Sequence, residues 1–456
     1  MDQVIVVSSD SHAQMPPEVW PEYVEKRYHD LLPGLHEECV IYPRAMWLLS
    51  APVMTLPELE HEHRVGGFRG VYDADVRRAE MDREGIAAEV VYHGDFRATD
   101  TFHNIINRKC PFEVWDAGVR AYDRWAFDTF GAAKDRFLLV SAVGPCTDLD
   151  VSVAELEWIS DHGFVGTFIP GFMRHPDMRP LFDEYWEPFW SCCEERGLAL
   201  VVHAGFGWEQ GFIFPEVERI YKQVESAGGS DLELLSRLAS EVFTGEFFSD
   251  LRPRRPMWQL MLGGVFDRHP DLKLIMSEVR VDWIPATLRH LDSLYDEHHA
   301  DLPAEQRPSD YWRSNCLAGA SFVHKAEVEM RHELGVDTVS FGRDYPHPEG
   351  TWPNTKDWLR DAFAGVPDDE VRLILGENAI RFLGLDRAPL AEIAAHIGPP
   401  IDEITGPAPA IDPELIANFD IRGGYLRPAE GDAKLAAIDA TLREDLVRAG
   451  ASVGAE

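Results

Sequence analysis

The sequence predicts an α/β protein built on a parallel (β/α)8 barrel, with insertions after strands 1 and 5 and a C-terminal extension. Three observations carry that prediction. Short β-branched runs recur with helical segments between them, the alternation produced by parallel strands joined through crossover helices. Several runs are continuously apolar, Leu198-Ala199-Leu200-Val201-Val202 among them, as strands covered on both faces require. Polar side chains suited to chemistry follow directly on strand ends that are far apart in sequence.

The runs fall at 4–9, 86–92, 137–143, 164–169, 198–203, 272–277, 314–318 and 338–342. An open doubly wound sheet would use the same elements; the count of eight favours the ring. The barrel proper is expected to span 1–385, interrupted at about 13–71 and 204–253 by segments leaving from the carboxyl face, where long loops form lids and pockets. Aromatic residues in these insertions (Trp47, Phe68, Tyr72, Phe206, Trp208, Phe212 and Phe214) either line a pocket or pack the insertions down. From 386 to 456 a Pro-rich stretch leads to a helical segment near 432–449. This extension either packs on the barrel or reaches a neighbouring subunit of a homo-oligomer.

The chain has 456 residues, 45% hydrophobic and 27% charged, a balance that supports a large core. Its 79 acidic against 43 basic residues give a net charge of −36. Such a field repels phosphate backbones and anionic lipid, so neither nucleic acid nor a membrane is an expected partner. No long apolar stretch or basic leader precedes Val4, and a cytoplasmic location is expected. Six cysteines without a Cys-x-x-Cys pair argue for reduced thiols rather than a disulfide framework or a thiolate zinc site. Phosphate-loop and Gly-x-Ser-x-Gly spacings are absent, which removes nucleotide chemistry and serine hydrolysis.

The first strand ends in Ser9-Asp10-Ser11-His12, where residues two apart on an extended chain project to one side. A capped turn would use the same residues. The fifth ends in His203-Ala204-Gly205, an imidazole with small neighbours that leave room for a ligand, although a hydrogen-bonded core histidine reads the same way. The eighth runs into Gly342-Arg343-Asp344-Tyr345-Pro346-His347, placing a carboxylate at the corresponding level unless Asp344 only caps a turn. Together they supply the nitrogen and oxygen donors that bind Zn²⁺, Mn²⁺ or Fe²⁺. His93 closes the second strand and faces the same region. His61-Glu62-His63 and Glu297-His298-His299 imitate metal motifs but read as solvated faces.

Asp10-Ser11-His12, Val202-His203-Ala204-Gly205, Glu278 with Trp283-Ile284-Pro285 downstream, and Gly342-Arg343-Asp344-Tyr345-Pro346-His347 resemble the ordered signature of the amidohydrolase-related (amidohydrolase 2) branch of the amidohydrolase superfamily. The resemblance runs from about residue 4 to 385 and implies metal ligands at Asp10, His12, His203 and Asp344, with Asp344 also the proton shuttle. It implies one divalent ion, Zn²⁺ first with Mn²⁺ or Fe²⁺ as alternatives, since Phe168-Ile169-Pro170-Gly171 offers no bridging ligand at the fourth strand. The branch includes nonoxidative decarboxylases, from which this chain departs where Glu278 replaces their sixth-strand histidine. Glu278 is then a further ligand, a general base, an orienter of His203, or a partner of Arg280. Arg280 and Arg343 stand where the family carries small residues, and with His347 they are expected to contact a substrate carboxylate or carbonyl, the alternatives being that the arginines neutralise the local acidic cluster and that His347 holds a metal-bound group by an outer hydrogen bond.

Hydrolysis of an amide or related C–N or C–O bond by a metal-activated water is the expected activity, with Asp344, Glu278 and His93 as its catalytic groups. Decarboxylation of an aromatic or unsaturated acid is the alternative, and a catalytically inactive binding barrel the third. The substrate is expected to be a small molecule or a short modified peptide, because in length and character the chain also resembles the amidohydrolases of bottromycin-type peptide maturation.

Overall fold

The computed structural model describes residues 3–49, 67–94, 99–104, 107–142, 148–171, 178–207, 214–241, 252–319, 323–347, 350–407, 411–422 and 431–450. His61-Glu62-His63, Trp208 and Phe212 lie outside them, as do the side chains of Trp47 and Phe214.

One parallel sheet organises the chain. In sequence order its strands are β1 (Val7–Ser8), β2 (His12–Ala13), β3 (Ala88–His93), β4 (Phe137–Ser141), β5 (Gly166–Phe168), β6 (Ala199–Val202), β7 (Leu274–Ser277), β8 (Cys316–Gly319) and β9 (Val339–Ser340). Each pairs in parallel with its successor from β3 to β9, while β1 and β2 both pair with β3. The ring closes through Ser9 N to Phe341 O (2.8 Å), Asp344 N to Asp10 O (2.9 Å) and His12 N to Tyr345 O (2.7 Å). This is the expected (β/α)8 barrel.

The first strand departs from expectation by dividing in two. Val7 pairs with Ala88 and Ser8 with Glu89, but His12 pairs with Tyr92, so one extra residue is accommodated on the first strand between the two pairings. Such an irregularity re-aims side chains beside a site, and here it falls between Ser8 and His12, the stretch that carries Asp10.

The strands are buried along their whole length, because helices such as Phe112–Phe130, Leu149–Asp161 and Arg255–Leu262 cover the outside while side chains fill the interior. Local signals set the helix ends. Asp73 accepts from the backbone N–H groups of Asp75 and Val76 to start Ala74–Glu84, and Gly85, at φ +80°, ends it.

The two insertions meet. Helix Leu32–Leu49 packs against helices Phe214–Ser226 and Asp231–Glu241, and Arg108 binds both Glu37 (3.0 Å) and Glu218 (2.9 Å) beside them. Beyond 385, Val4 N donates to Pro399 O at 2.9 Å. In the last helix, Gly431–Ala449, Leu442 and Leu446 are buried and Asp445 takes a two-pronged bond from Arg255 (2.9 and 2.7 Å). Among the described residues no helix is long and apolar enough to cross a membrane.

Candidate metal centre

Asp10, His12 and His203 converge at the carboxyl ends of the strands: each offers a ligand atom within 4.8 Å of the others, and His12, Asp344 and His347 form an overlapping group. His12 Nε2 lies 3.5 Å from Asp10 Oδ1 and 3.2 Å from Asp344 Oδ1, and His203 Nε2 is 3.5 Å from the same Asp10 oxygen. His347 stacks on His12 with ring centroids 4.0 Å apart and brings Nδ1 to 3.1 Å from Asp344 Oδ1.

The neighbours of these groups hold them in a ligating state. His12 Nδ1 is 2.7 Å from the carbonyl of His93, which fixes the proton on Nδ1 and leaves the Nε2 lone pair toward Asp10 and Asp344. Burial, then the imidazoles of His347 and His203, hold His12 well below its ordinary pKa, so the ring is neutral. Ser277 Oγ donates to Asp10 Oδ2 at 3.1 Å and leaves Oδ1 to the histidines. His203 Nδ1 faces Glu278 Oε2 at 3.3 Å, and the carbonyl of Ala204 at the same 3.3 Å. Burial works against a charge on His203, yet Asp10 and Glu278 raise its pKa; a cation there would displace that proton. Asp10 Oδ1, His12 Nε2 and His203 Nε2 are buried and make no hydrogen bond, an arrangement that is costly unless an ion satisfies it. The donor set fits a divalent cation.

Glu278 and Asp344 adopt positive φ, 51° and 53°, a conformation costly for residues with side chains and kept where the surroundings impose it. Burial first and Asp344 second push the pKa of Glu278 well above the usual carboxylate range. Its Oε2 stands opposite His203 Nδ1, so either protonation state of the pair leaves the two side chains in register. Of the four readings of Glu278, the geometry supports the orienter of His203.

The arginines part company with expectation. Arg343 is fully buried, and its guanidinium lies not over the metal centre but on Glu89 (Nε to Oε2, 2.9 Å), which also pairs with Arg77. Its backbone continues β9 while its side chain crosses to β3, so substrate contact is corrected to a structural tie. Arg280, also at positive φ (61°), directs its guanidinium to Asp282 at 3.0 and 2.6 Å rather than to Glu278. His93 reaches the centre through its carbonyl, while its ring turns to Asp100, with Nδ1 2.9 Å from Oδ2.

Sequence reasoning missed Ser277 and Tyr92. Tyr92 is buried, donates its hydroxyl to Ser9 O at 3.1 Å and meets the His203 ring edge-on at 5.1 Å. Both lie one residue before positions singled out in sequence, Glu278 and His93, and strand alternation was the available signal.

Residues 58–385 match the amidohydrolase family profile. The chain belongs to the amidohydrolase family. Gamma-resorcylate decarboxylase of Rhizobium radiobacter is 25% identical over 321 residues, covering 68% of this chain and 87% of that enzyme. Among solved structures, an amidohydrolase from Mycobacterium avium subsp. paratuberculosis K-10 superposes with a TM-score of 0.58 at 17% identity, over 84% of this chain and 100% of its own. A dihydroxybenzoic acid decarboxylase from Polaromonas sp. JS666, solved with manganese and the inhibitor 2-nitroresorcinol, gives 0.54 at 17% identity, over 86% and 99%. At these identities the superpositions speak to the fold alone.

Proposed function

We propose that this amidohydrolase-family protein is a divalent-metal-dependent nonoxidative decarboxylase of a small carboxylic acid. The observation that carries the reading is the buried Asp10–His12–His203 donor cluster, completed by Asp344, in a chain whose relative is a decarboxylase. This ranks decarboxylation above the hydrolysis that the residues first suggested. Asp10, His12, His203 and Asp344 would hold a divalent cation, which would supply Lewis acidity toward the substrate carboxylate. Manganese, held by the Polaromonas enzyme, joins zinc and iron as the metal to test.

The reaction breaks the bond to the carboxyl carbon, releases CO₂ and adds one proton to the carbon left behind. Glu278 is the proton source in this reading: burial raises its affinity for a proton, and its contact with His203 places it beside the centre. Asp344 and His347, 3.1 Å apart, hold and relay the replacement proton. Hydrolysis remains the second reading because Glu278 stands where the decarboxylase branch carries histidine. There Asp344 would take the proton of an attacking water and return it to the leaving group.

Manganese- or zinc-loaded protein incubated in D₂O with a panel of hydroxybenzoic acids, gamma-resorcylate included, should release CO₂ and place one deuterium on the vacated carbon. Turnover of amides or lactones by protein inert toward every acid in the panel would replace decarboxylation with hydrolysis.

A further inference from the structure

A second group of potential ligands lies outside this centre. His93, Asp100 and His103 are all buried, and each offers an atom within 4.8 Å of the others. His93 ends β3, while Asp100 and His103 sit in the segment leading to helix Phe112–Phe130. This cluster shares no side chain with the first.

Its hydrogen bonding is incomplete in a particular way. His103 Nδ1 is satisfied by the carbonyl of Thr101 at 3.1 Å, which puts the ring proton on Nδ1 and leaves Nε2 a bare lone pair. That Nε2 is buried and makes no hydrogen bond. Asp100 Oδ2 receives Asn104 Nδ2 at 2.7 Å and faces His93 Nδ1 at 2.9 Å, whereas Oδ1, equally buried, makes none. The oxygens Oγ1 of Thr101 and Oδ1 of Asn107 are orphaned in the same segment. The buried Asp100 carboxylate pairs with no arginine or lysine among the described residues. Two imidazoles and a carboxylate converging in a buried cluster form a donor set that zinc or manganese fits.

Ligand bonds of about 2.0–2.2 Å put neighbouring donor atoms of a tetrahedral site about 3.3–3.6 Å apart, and the ligand atoms of this group all lie within 4.8 Å of one another. Protonation also suits an ion: burial brings His103 down to about 4, and His93 with His103 helps hold Asp100, against its burial, at about 2.

We propose that His93, Asp100 and His103 form a second, separate divalent-cation site, with His103 ligating through Nε2 and Asp100 through its carboxylate. The site is structural: it ties the end of β3 to the start of the next helix, and through the His93 carbonyl it steadies His12. This is distinct from a two-metal centre, because the fourth strand ends in Phe168-Ile169-Pro170 without a bridging ligand.

The test is metal stoichiometry on the full chain. Chelator-stripped protein titrated with Zn²⁺ should take up two equivalents. His103→Gln and Asp100→Asn should each take up one and keep the centre at His12, while His12→Gln should lose only the other. Crystals of the wild-type protein soaked in Zn²⁺, measured at the zinc edge, should show an anomalous peak within bonding distance of His103 Nε2; this arm decides should the variants fail to fold. A single equivalent in the wild type, two in His103→Gln, or no peak beside His103 would overturn the proposal.

Discussion

Asp344 makes the sharpest case among single residues. Its carboxylate is within 3.2 Å of His12 and 3.1 Å of His347, at a backbone position that costs energy to hold. Asp344→Asn keeps the shape but can neither carry a proton nor match a carboxylate as a ligand. Turnover should fall by about 10²–10⁴-fold with thermal melting nearly unchanged; activity within about threefold of the parent would refute the role. Arg343 illustrates the opposite outcome. Sequence shows a guanidinium beside Asp344, yet Glu89, 254 positions away in the chain, claims it. Arg343→Lys cannot reproduce the planar contact and leaves Glu89 short of a partner in a dry interior. Urea unfolding should register a loss of about 3 kcal/mol, and KM should stay at the parent value. A raised KM with unchanged stability would return this arginine to substrate binding.

Elements meet where glycine lets backbones touch. Helix Phe112–Phe130 crosses the 99–104 segment at Gly118, where an added Cβ would fall 1.7 Å from the Thr101 carbonyl oxygen. No rotamer relieves a clash between backbone atoms. Gly118→Ala should therefore cost more than the ~1–3 kcal/mol of ordinary overpacking, seen as a lower denaturant midpoint, and should weaken cation uptake by the segment carrying Asp100 and His103. A stable variant would mean that the helix can move outward freely. The first strand teaches a related lesson. Strand alternation predicts Asp10 and His12 on one side, but hydrogen bonding to β3 and to 341–345 inserts an extra residue between Ser8 and His12. Alternation along one strand carries no information about a neighbour's register.

Across the whole molecule, stability should respond to pH through buried acids. Glu327 accepts from Val281 N at 3.2 Å and His324 N at 3.0 Å, and burial raises its pKa from 4.5 to about 7. Below about 4.5 folded and unfolded chains both hold this proton; between there and about 7 only the folded chain does. Its contribution is thus full in acid and lost as pH rises through that window, by roughly 3 kcal/mol. Glu327→Gln keeps one acceptor oxygen and does not titrate, so its unfolding free energy should decline less than the parent's between pH 5 and 7.5. Parallel curves would dismiss Glu327 as the source. Metal binding acts on the same scale. Chelation should lower the melting temperature, and restoring Mn²⁺ or Zn²⁺ should raise it with concentration; a melting temperature indifferent to both would contradict a cation at Asp10, His12 and His203.

The barrel itself was legible because its signals are local: apolar runs of strand length, separated by helices, several of them ending in a residue with ligand chemistry. Local text also placed Asp10, His12, His203 and Asp344 at strand ends, which is where the structure gathers them. Only the tertiary structure could assign partners. That the His93 carbonyl sets the His12 tautomer, that Glu278 serves His203 while Arg280 serves Asp282, and that the His93 ring joins Asp100 are choices among acceptors brought together by closure of the ring. Sequence determines which groups are available and on which element they ride. Which of them touch depends on the strand register and on the few partners that burial leaves within reach of each polar atom.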